Sequence, residues 1–282
     1  MESKIIRSSL EGRFDNVVVA LCPQLSRKKI KSIIDSGGAY LNQKRILMAK
    51  TQVQKSDSIK LYWEEHKSKF TSFDSQWLIK EEKDFLVLNK PSGLNSEGSL
   101  TSNQDSLIAL VQKEWKQARL IHRLDKETSG VMLIALGQEA QKRLENLFKE
   151  RLVYKEYHAL VHGNPRQDHF ISQKPIIRDF QNRFKIGPGK SAKTEFHVLE
   201  RTQDSSYIQC IPYTGRTHQI RLHLMDAGYP ILGDKLYSQG QYTSAIFGRI
   251  KRHMLHSLKI RIDGYEFVAD LASDFEQIKN QS

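Results

Sequence analysis

The stretch Gly130–Leu136, GVMLIAL, constrains this chain more than any other. Uninterrupted apolar character over so few residues reads as a buried strand, because one that faced water on one side would alternate. It is entered straight from a polar cluster: His122, Arg123, Asp125, Lys126 and Thr128 stand just before it. Polar groups at the mouth of a buried strand need partners, and loops held there commonly carry sites. The plain alternative for Asp125 is a structural ion pair with Arg123 or Lys126.

The neighbouring pattern supplies the rest of a fold. Phe85–Leu88 is a short apolar run that ends at Asn89, Lys90 and Pro91, with Gly93 close behind, a strand entering a turn. Residues 105–117 read as a helix. Residues 138–150 read as another, with Ala140, Leu144, Leu147 and Phe148 on one face. Val153, Tyr157, Ala159 and Val161 mark a strand, as do residues 193–199 and 207–212. A helix over 217–226, closed by Gly228, puts His218, Arg221 and Leu222 on one face. Strands interleaved with helices predict an α+β fold with a mixed sheet.

Charge points to the partner. The 282 residues carry a formal net charge of +12, enough to favour a polyanion, nucleic acid or an acidic membrane surface. Residues 1–70 hold 14 Lys and Arg against 7 Asp and Glu, more than half of that surplus in a quarter of the chain. Within them Phe14, Val17, Val18 and Leu21 fall at helical spacing before Pro23. Ser26 then caps a helix striped by Ile30, Ile33 and Ile34, with Arg27, Lys28 and Lys31 close together on its surface. Residues 39–42 and 58–62 read as short strands. Residues 63–78 show no period and read as a linker.

Other classes fare poorly. The apolar runs are too short to span a membrane, and the first residues have no signal-peptide stretch. Two distant cysteines, Cys22 and Cys210, make neither a disulfide framework nor a CxxC zinc site, which suits a reducing cytoplasm. His218 and His223 are poorly spaced for a metal, and His253 and His256 lack a carboxylate completing an HExxH pattern. No GxSxG nucleophile elbow occurs. No metal site is expected.

The texts themselves are more specific. HRLDKETSGVMLIA resembles the signature of the RluA family of pseudouridine synthases. LVLNKPSGL, RLVYKEYHALVHG, GRTHQIRLHL, GYPILGDKLY and RHMLHSLKI resemble further segments of that family and follow in its order. The N-terminal text, GRFDNVVVALCPQLSRKKIKSIIDSGGAYLNQKRI and then KSDSIKLYW, resembles the small RNA-binding domain of ribosomal small-subunit protein four. It departs at Ser56-Asp57, where that family usually has Gly-Asp.

The resemblance implies a small α/β RNA-binding domain over residues 1–65 and a linker over 66–78. Residues 79–282 would form an α+β pseudouridine synthase domain with a mixed, largely antiparallel central sheet and a catalytic cleft. It implies Asp125 as nucleophile, Tyr157 packed on the target base and assisting proton removal, and Arg221 holding Asp125 ionised. Arg123 would help unstack the base. Lys90 would shape the cleft floor, with His122 and Leu255 in substrate contact, although pure structure is the plainer role for Leu255. Arg27, Lys28 and Lys31 would meet phosphates.

No cofactor is expected, since the reaction only exchanges a C–N for a C–C glycosidic bond. The implied partner is RNA, ribosomal before transfer RNA, and the implied form is a cytoplasmic monomer. Leu94, Asn95, Ser96 and Glu97 depart from the family's usual apolar stretch and His, a difference that points to substrate choice. The insert from Ser238 onward also varies from the family. A catalytically idle protein binding ribosomal or transfer RNA, and a metal-dependent hydrolase, are the competing readings.

Overall fold

The computed structural model describes residues 2–35, 37–63, 70–98, 106–179, 183–238 and 250–281. The chain divides into two compact units, Met1–Lys69 and Phe70–Ser282.

The first unit contains β1 (Glu2–Arg7), β2 (Gly12–Arg13), α1 (Phe14–Leu21), α2 (Arg27–Asp35), β3 (Ala39–Leu41), β4 (Lys44–Arg45), β5 (Gln52–Val53) and β6 (Ser58–Trp63). Four strands form an antiparallel sheet in the order β1-β6-β3-β4, and β2 pairs with β5. Both helices lay their apolar stripes on one core: Phe14, Val17 and Val18 from α1, Ile30, Ile33 and Ile34 from α2, Ile59 and Leu61 from β6. Fully burying such a side chain contributes about 1.5–3 kcal/mol, so this small core has few residues to spare. The Ser26 hydroxyl accepts from the Lys29 amide at 3.2 Å, as an N-cap should. β1 has no signal of its own in ESKIIR; it is fixed by a six-residue pairing with β6.

The departure at Ser56 has a conformational consequence. Its φ is 73°, the left-handed region where a glycine is free of Cβ strain. The turn is held all the same. Asp57 accepts from the Gln54 amide at 2.7 Å and from the Asn42 side chain at 2.7 Å. Asn42 in turn accepts from the Ser58 amide at 2.8 Å.

The second unit begins inside the expected linker. Residues 64–69 lie outside the described residues, but Trp77 packs edge-on against Phe70 and Phe73, and Phe73 against Trp115, at centroid distances of 5.3–5.6 Å. An aromatic clasp has neither a helical nor a strand period, which is why these residues read as unstructured.

Its remaining elements are β7 (Leu78–Glu81), β8 (Phe85–Lys90), α3 (Leu107–Glu114), β9 (Ala118–Leu120), β10 (Ser129–Leu136), α4 (Gln138–Lys149), β11 (Tyr154–His162), β12 (His169–Ser172), β13 (Ile176–Arg178), β14 (Phe184–Ile186), β15 (Thr194–Arg201), β16 (Ser205–Pro212), α5 (Gln219–Asp226), β17 (Leu255–Ile262), β18 (Tyr265–Val268) and α6 (Ser273–Gln281). Among the described residues a ten-stranded sheet runs β12-β15-β16-β11-β17-β10-β8-β7, with β18 beside β17 and β9 beside β10. Its pairings are antiparallel except β10 with β17. The expected mixed, largely antiparallel sheet is therefore present.

β10 explains its own sequence. Val131, Leu133 and Ala135 face a core shared with Ala140 and Leu144 of α4, while Met132 and Ile134 face another shared with Leu107, Leu110 and Val111 of α3. A strand covered on both faces has no polar side, hence the unbroken apolar run. At its start Gly130 (φ 110°) meets Ser257 of β17; a Cβ there would lie 2.1 Å from the Ser257 carbonyl oxygen. Only glycine lets the two strands approach where the polar loop ends. α5 differs from expectation. It starts at Gln219 rather than 217, preceded by His218 in left-handed conformation, and every residue from Gln219 to Leu224 is buried. Its polar residues are satisfied inside, with Gln219 bonding Thr194 at 2.9 Å and Thr214 at 2.6 Å.

Relieving the left-handed strain at Ser56 should raise the stability of the first unit. Ser56→Gly is expected to gain about 0.5–1 kcal/mol, the αL penalty less the extra freedom of glycine in the unfolded chain. Urea unfolding checks this; a lower midpoint for the variant would refute it.

Candidate active site

The loop from Arg123 to Thr128 joins β9 to β10, and its backbone is held at nearly every residue. Ser96 accepts from the Leu124 amide at 3.1 Å and donates to the Leu124 carbonyl at 2.8 Å. The Lys126 carbonyl accepts from the Gly93 amide at 2.8 Å and from Lys90 Nζ at 3.2 Å. Arg252 donates to the Glu127 carbonyl at 3.1 Å, and is itself fixed by Asp274 through two bonds of 2.7 Å. The Thr128 hydroxyl and His253 Nε2 are 2.8 Å apart, and the Ser129 hydroxyl and His256 Nδ1 2.9 Å. The Thr128 amide closes a turn on the Asp125 carbonyl at 3.1 Å.

This rigid loop presents Asp125 to Arg221 of α5. Arg221 Nη1 donates to Asp125 Oδ2 at 2.9 Å. The other edge of the guanidinium is taken by Asp234: Nε donates to Oδ2 at 2.7 Å and Nη2 to Oδ1 at 2.9 Å. Asp234 also accepts from the amides of Leu236 and Tyr237 at 3.0 and 3.2 Å. Side-chain exposure rises along the row: 1% for Asp234, 7% for Arg221 and 26% for Asp125. Asp125 is thus the carboxylate at the surface, and Asp234 the one that anchors Arg221 from within. Burial works against the charges of both buried groups. Their bidentate bonding more than offsets it, so Arg221 is held cationic and the Asp234 carboxyl below its usual pKa. Asp234 was not singled out from the sequence, although it lies within GYPILGDKLY.

Two further groups adjoin the row. His218 Nε2 is 3.8 Å from Asp125 Oδ1, while its Nδ1 lies 2.7 Å from the Tyr237 hydroxyl, which also donates to the Phe184 carbonyl at 3.2 Å. Burial lowers the pKa of His218, with Asp125 pulling the other way. Tyr237 lies under the Arg221 guanidinium at 5.0 Å. Tyr157, on β11, packs between two cores. Burial, aided by the negative charge of Asp125, pushes its phenol up to about 12. A phenol so placed stays protonated at neutral pH.

Of the other candidate residues, Lys90 and His122 turn into the protein rather than toward a substrate. Lys90 has 0% exposure, and its Nζ donates inward to the carbonyls of Pro91, Leu94 and Lys126 at 2.8, 2.8 and 3.2 Å. Burial lowers its pKa to about 7. It braces the Asp125 loop from below and has no free face for substrate. His122 accepts from the Leu133 amide at 2.9 Å and stacks on Phe148 of α4 at 4.7 Å. With its pKa pushed down to about 3, chiefly by burial, it is a neutral structural acceptor. Leu255 is core. Arg123 projects outward, 63% exposed, paired with Glu97 at 3.2 Å. Ser96 and Glu97, the departing residues after the first motif, thus grip the Asp125 loop. Of the insert, only Ser238 lies within the described residues. Arg27, Lys28 and Lys31 are all exposed on α2, opposite its buried isoleucines.

Each histidine weighed as a ligand has its own bond: His218 to Tyr237, His223 to Thr194 and the Lys174 carbonyl, His253 to Thr128, His256 to Ser129. Among the described residues no helix is long and apolar enough to cross a membrane.

Comparison with known proteins bears on this geometry. The family model for RNA pseudouridylate synthase matches residues 84–226, which include Asp125, Tyr157 and Arg221. A dual-specificity RNA pseudouridine synthase RluA from Yersinia pestis is 40% identical over 182 residues, covering 62% of this chain and 88% of the relative. The protein of that name from Escherichia coli K12 is 39% identical over 170 residues, covering 57% and 78%. Human RNA pseudouridylate synthase domain containing 4 superposes with a TM-score of 0.62 at 26% identity, covering 73% of this chain and 93% of that one. With a family model spanning half its length and relatives at about 40% identity, this chain belongs to the RluA family and is an RNA pseudouridine synthase.

Proposed function

We propose that the enzyme isomerises uridines in structured RNA, foremost large-subunit ribosomal RNA, with Asp125 as the nucleophile. The observation that carries this reading is the row Asp234–Arg221–Asp125, in which a buried ion pair aims a partly exposed carboxylate from a rigid loop. The uridine is turned out of its stack, because its reacting atoms are inaccessible within a helix. The carboxylate attacks and later departs; between those events the N1–C1′ bond breaks, the uracil rotates and a C5–C1′ bond forms. The proton on C5 is lost and N1 gains one, so no atom is added overall. Tyr157, held as a neutral phenol, packs on the base and passes that proton along rather than standing by as a phenoxide. Arg221 keeps Asp125 ionised, and Asp234 keeps Arg221 in place.

Residues 1–65 are read as the RNA-binding domain, with Arg27, Lys28 and Lys31 on phosphates and Arg123 beside the unstacked base. The two free buried cysteines suit a reducing cytoplasm, and the chain is taken to act as a monomer. The bacterial relatives carry dual specificity in their names, so transfer RNA belongs in the test beside ribosomal RNA.

Pseudouridine mapping of unmodified ribosomal and transfer RNA, incubated with wild type or Asp125→Ala, tests the assignment. New sites should appear with the wild type alone. Asp125→Ala should lose at least about 10⁴-fold in turnover while still binding RNA. Turnover by the variant would remove Asp125 as nucleophile. Sites confined to transfer RNA would overturn the ribosomal preference.

Asp234→Asn should lower kcat with little change in KM, since it disturbs a group that positions the nucleophile. It should also destabilise the fold by about 2–3 kcal/mol at pH 7. The sign with pH follows from the depressed carboxyl. Its contribution is complete above the unfolded value near 3.9 and is lost as pH falls through the lower folded value. Unfolding curves of variant and wild type should therefore converge in acid; a gap that persists there would show that the ion pair is not its source.

Alanine at Arg27, Lys28 and Lys31 together should weaken RNA binding and make log Kd less steep in log salt by about 2–3. An unchanged slope would move the phosphate contacts off this helix.

A further inference from the structure

At the far edge of the large sheet a second polar group converges. His169 of β12 lies directly opposite His197 of β15. Glu195 is two residues before His197 and so shares its face, while the intervening Phe170 and Phe196 stack in the core on the other side at 4.8 Å. The imidazoles are stacked at 4.6 Å. Both point Nε2 at the same oxygen, Glu195 Oε1, at 2.9 and 3.2 Å. The other carboxylate oxygen accepts from the Tyr213 hydroxyl at 2.5 Å. Among the described residues this is the group of three metal-ligating side chains whose ligand atoms all lie within 4.8 Å of one another.

Such convergence has a use. A tetrahedral ion with bonds of about 2.0–2.1 Å holds its ligand atoms roughly 3.3 Å apart, within a few tenths of the nitrogen–oxygen separations here. We propose that His169, Glu195 and His197 form a surface site for a divalent transition-metal ion of the zinc class, with solvent completing its coordination. Two imidazoles and a carboxylate suit zinc, and also nickel or copper, better than calcium or magnesium. The carboxylate is prepared for the role: its bond from the Tyr213 hydroxyl fixes its orientation.

The site stands apart from the reaction. β16, β11 and β17 separate β15 from β10, roughly 19 Å at about 4.8 Å per strand. Its effect is mechanical. β12 ends the described strand order and pairs on one side with β15, and an ion bridging His169 to Glu195 and His197 ties that edge strand to its neighbour.

The test uses the full chain, free of any histidine tag and stripped with a chelator. It is titrated with zinc chloride by calorimetry and with cobalt(II) by visible absorption. One zinc per chain should bind, cobalt should show ligand-field bands, and both should vanish in His197→Ala and in Glu195→Gln. Tyr213→Phe should weaken zinc roughly ten- to hundredfold. Zinc should also raise the Tm of the wild type and not that of His197→Ala. Circular dichroism of each variant checks that the sheet is intact. No saturable zinc binding by the wild type, or binding undiminished in both folded variants, overturns the site.

Discussion

One guanidinium shared by two carboxylates organises this enzyme. Arg221 is nearly buried, and a buried cation is tolerated only where its hydrogen bonds are met and its charge is answered. Asp234 does most of that from the interior side, with two short bonds. Asp125 takes the remaining edge with a single bond. The asymmetry matters. The bidentate pair fixes the guanidinium plane, and a fixed plane gives the outer carboxylate one position. Asp125 keeps one oxygen on Arg221 and has enough exposure to meet a ligand, the posture that a preorganised carboxylate requires.

Holding one end of an ion pair is of little value if the other end moves, and the structure puts comparable effort into the loop. Lys90, Ser96, Gly93, Arg252 and His253 reach it from two separate stretches of chain. Most bind its backbone rather than its side chains. The loop backbone is therefore held largely independently of the exposed Arg123 and Lys126 side chains. Lys90 shows the cost involved: burial draws its pKa down to about 7, and three carbonyl oxygens are what make its position tolerable.

The site was legible in the sequence where chemistry and position coincide. Asp125 and Arg221 come from texts whose residue types were unusual for their setting, and the structure brings them to 2.9 Å. β8, β10, β11, β15 and β16 followed from apolar runs and alternation. What stayed hidden depended on direction or distance. Nothing in LVLNKPSGL tells whether the Lys90 side chain turns outward or into the protein. His122 reads like its neighbours, yet its ring turns to Phe148 while Asp125 turns to Arg221. Asp234 is 13 residues from Arg221 and His169 is 28 from His197, separations beyond any local spacing rule. β1, β12 and β13 are too short or too polar to declare themselves and exist through pairing.

The charge around the site completes the argument. The chain as a whole is strongly basic, yet Asp234, Arg221 and Asp125 together carry a net negative charge, and the histidines beside them, His218 and His253, are lowered in pKa by burial and neutral at pH 7. Under the proposed function, affinity for RNA draws on the basic surplus of the chain, as long-range attraction that salt screens. In the proposed reaction, selection of the base falls to the groups around Asp125. Separating the two lets the enzyme hold a polyanion firmly while keeping at its centre the anionic carboxylate that the proposed reaction uses.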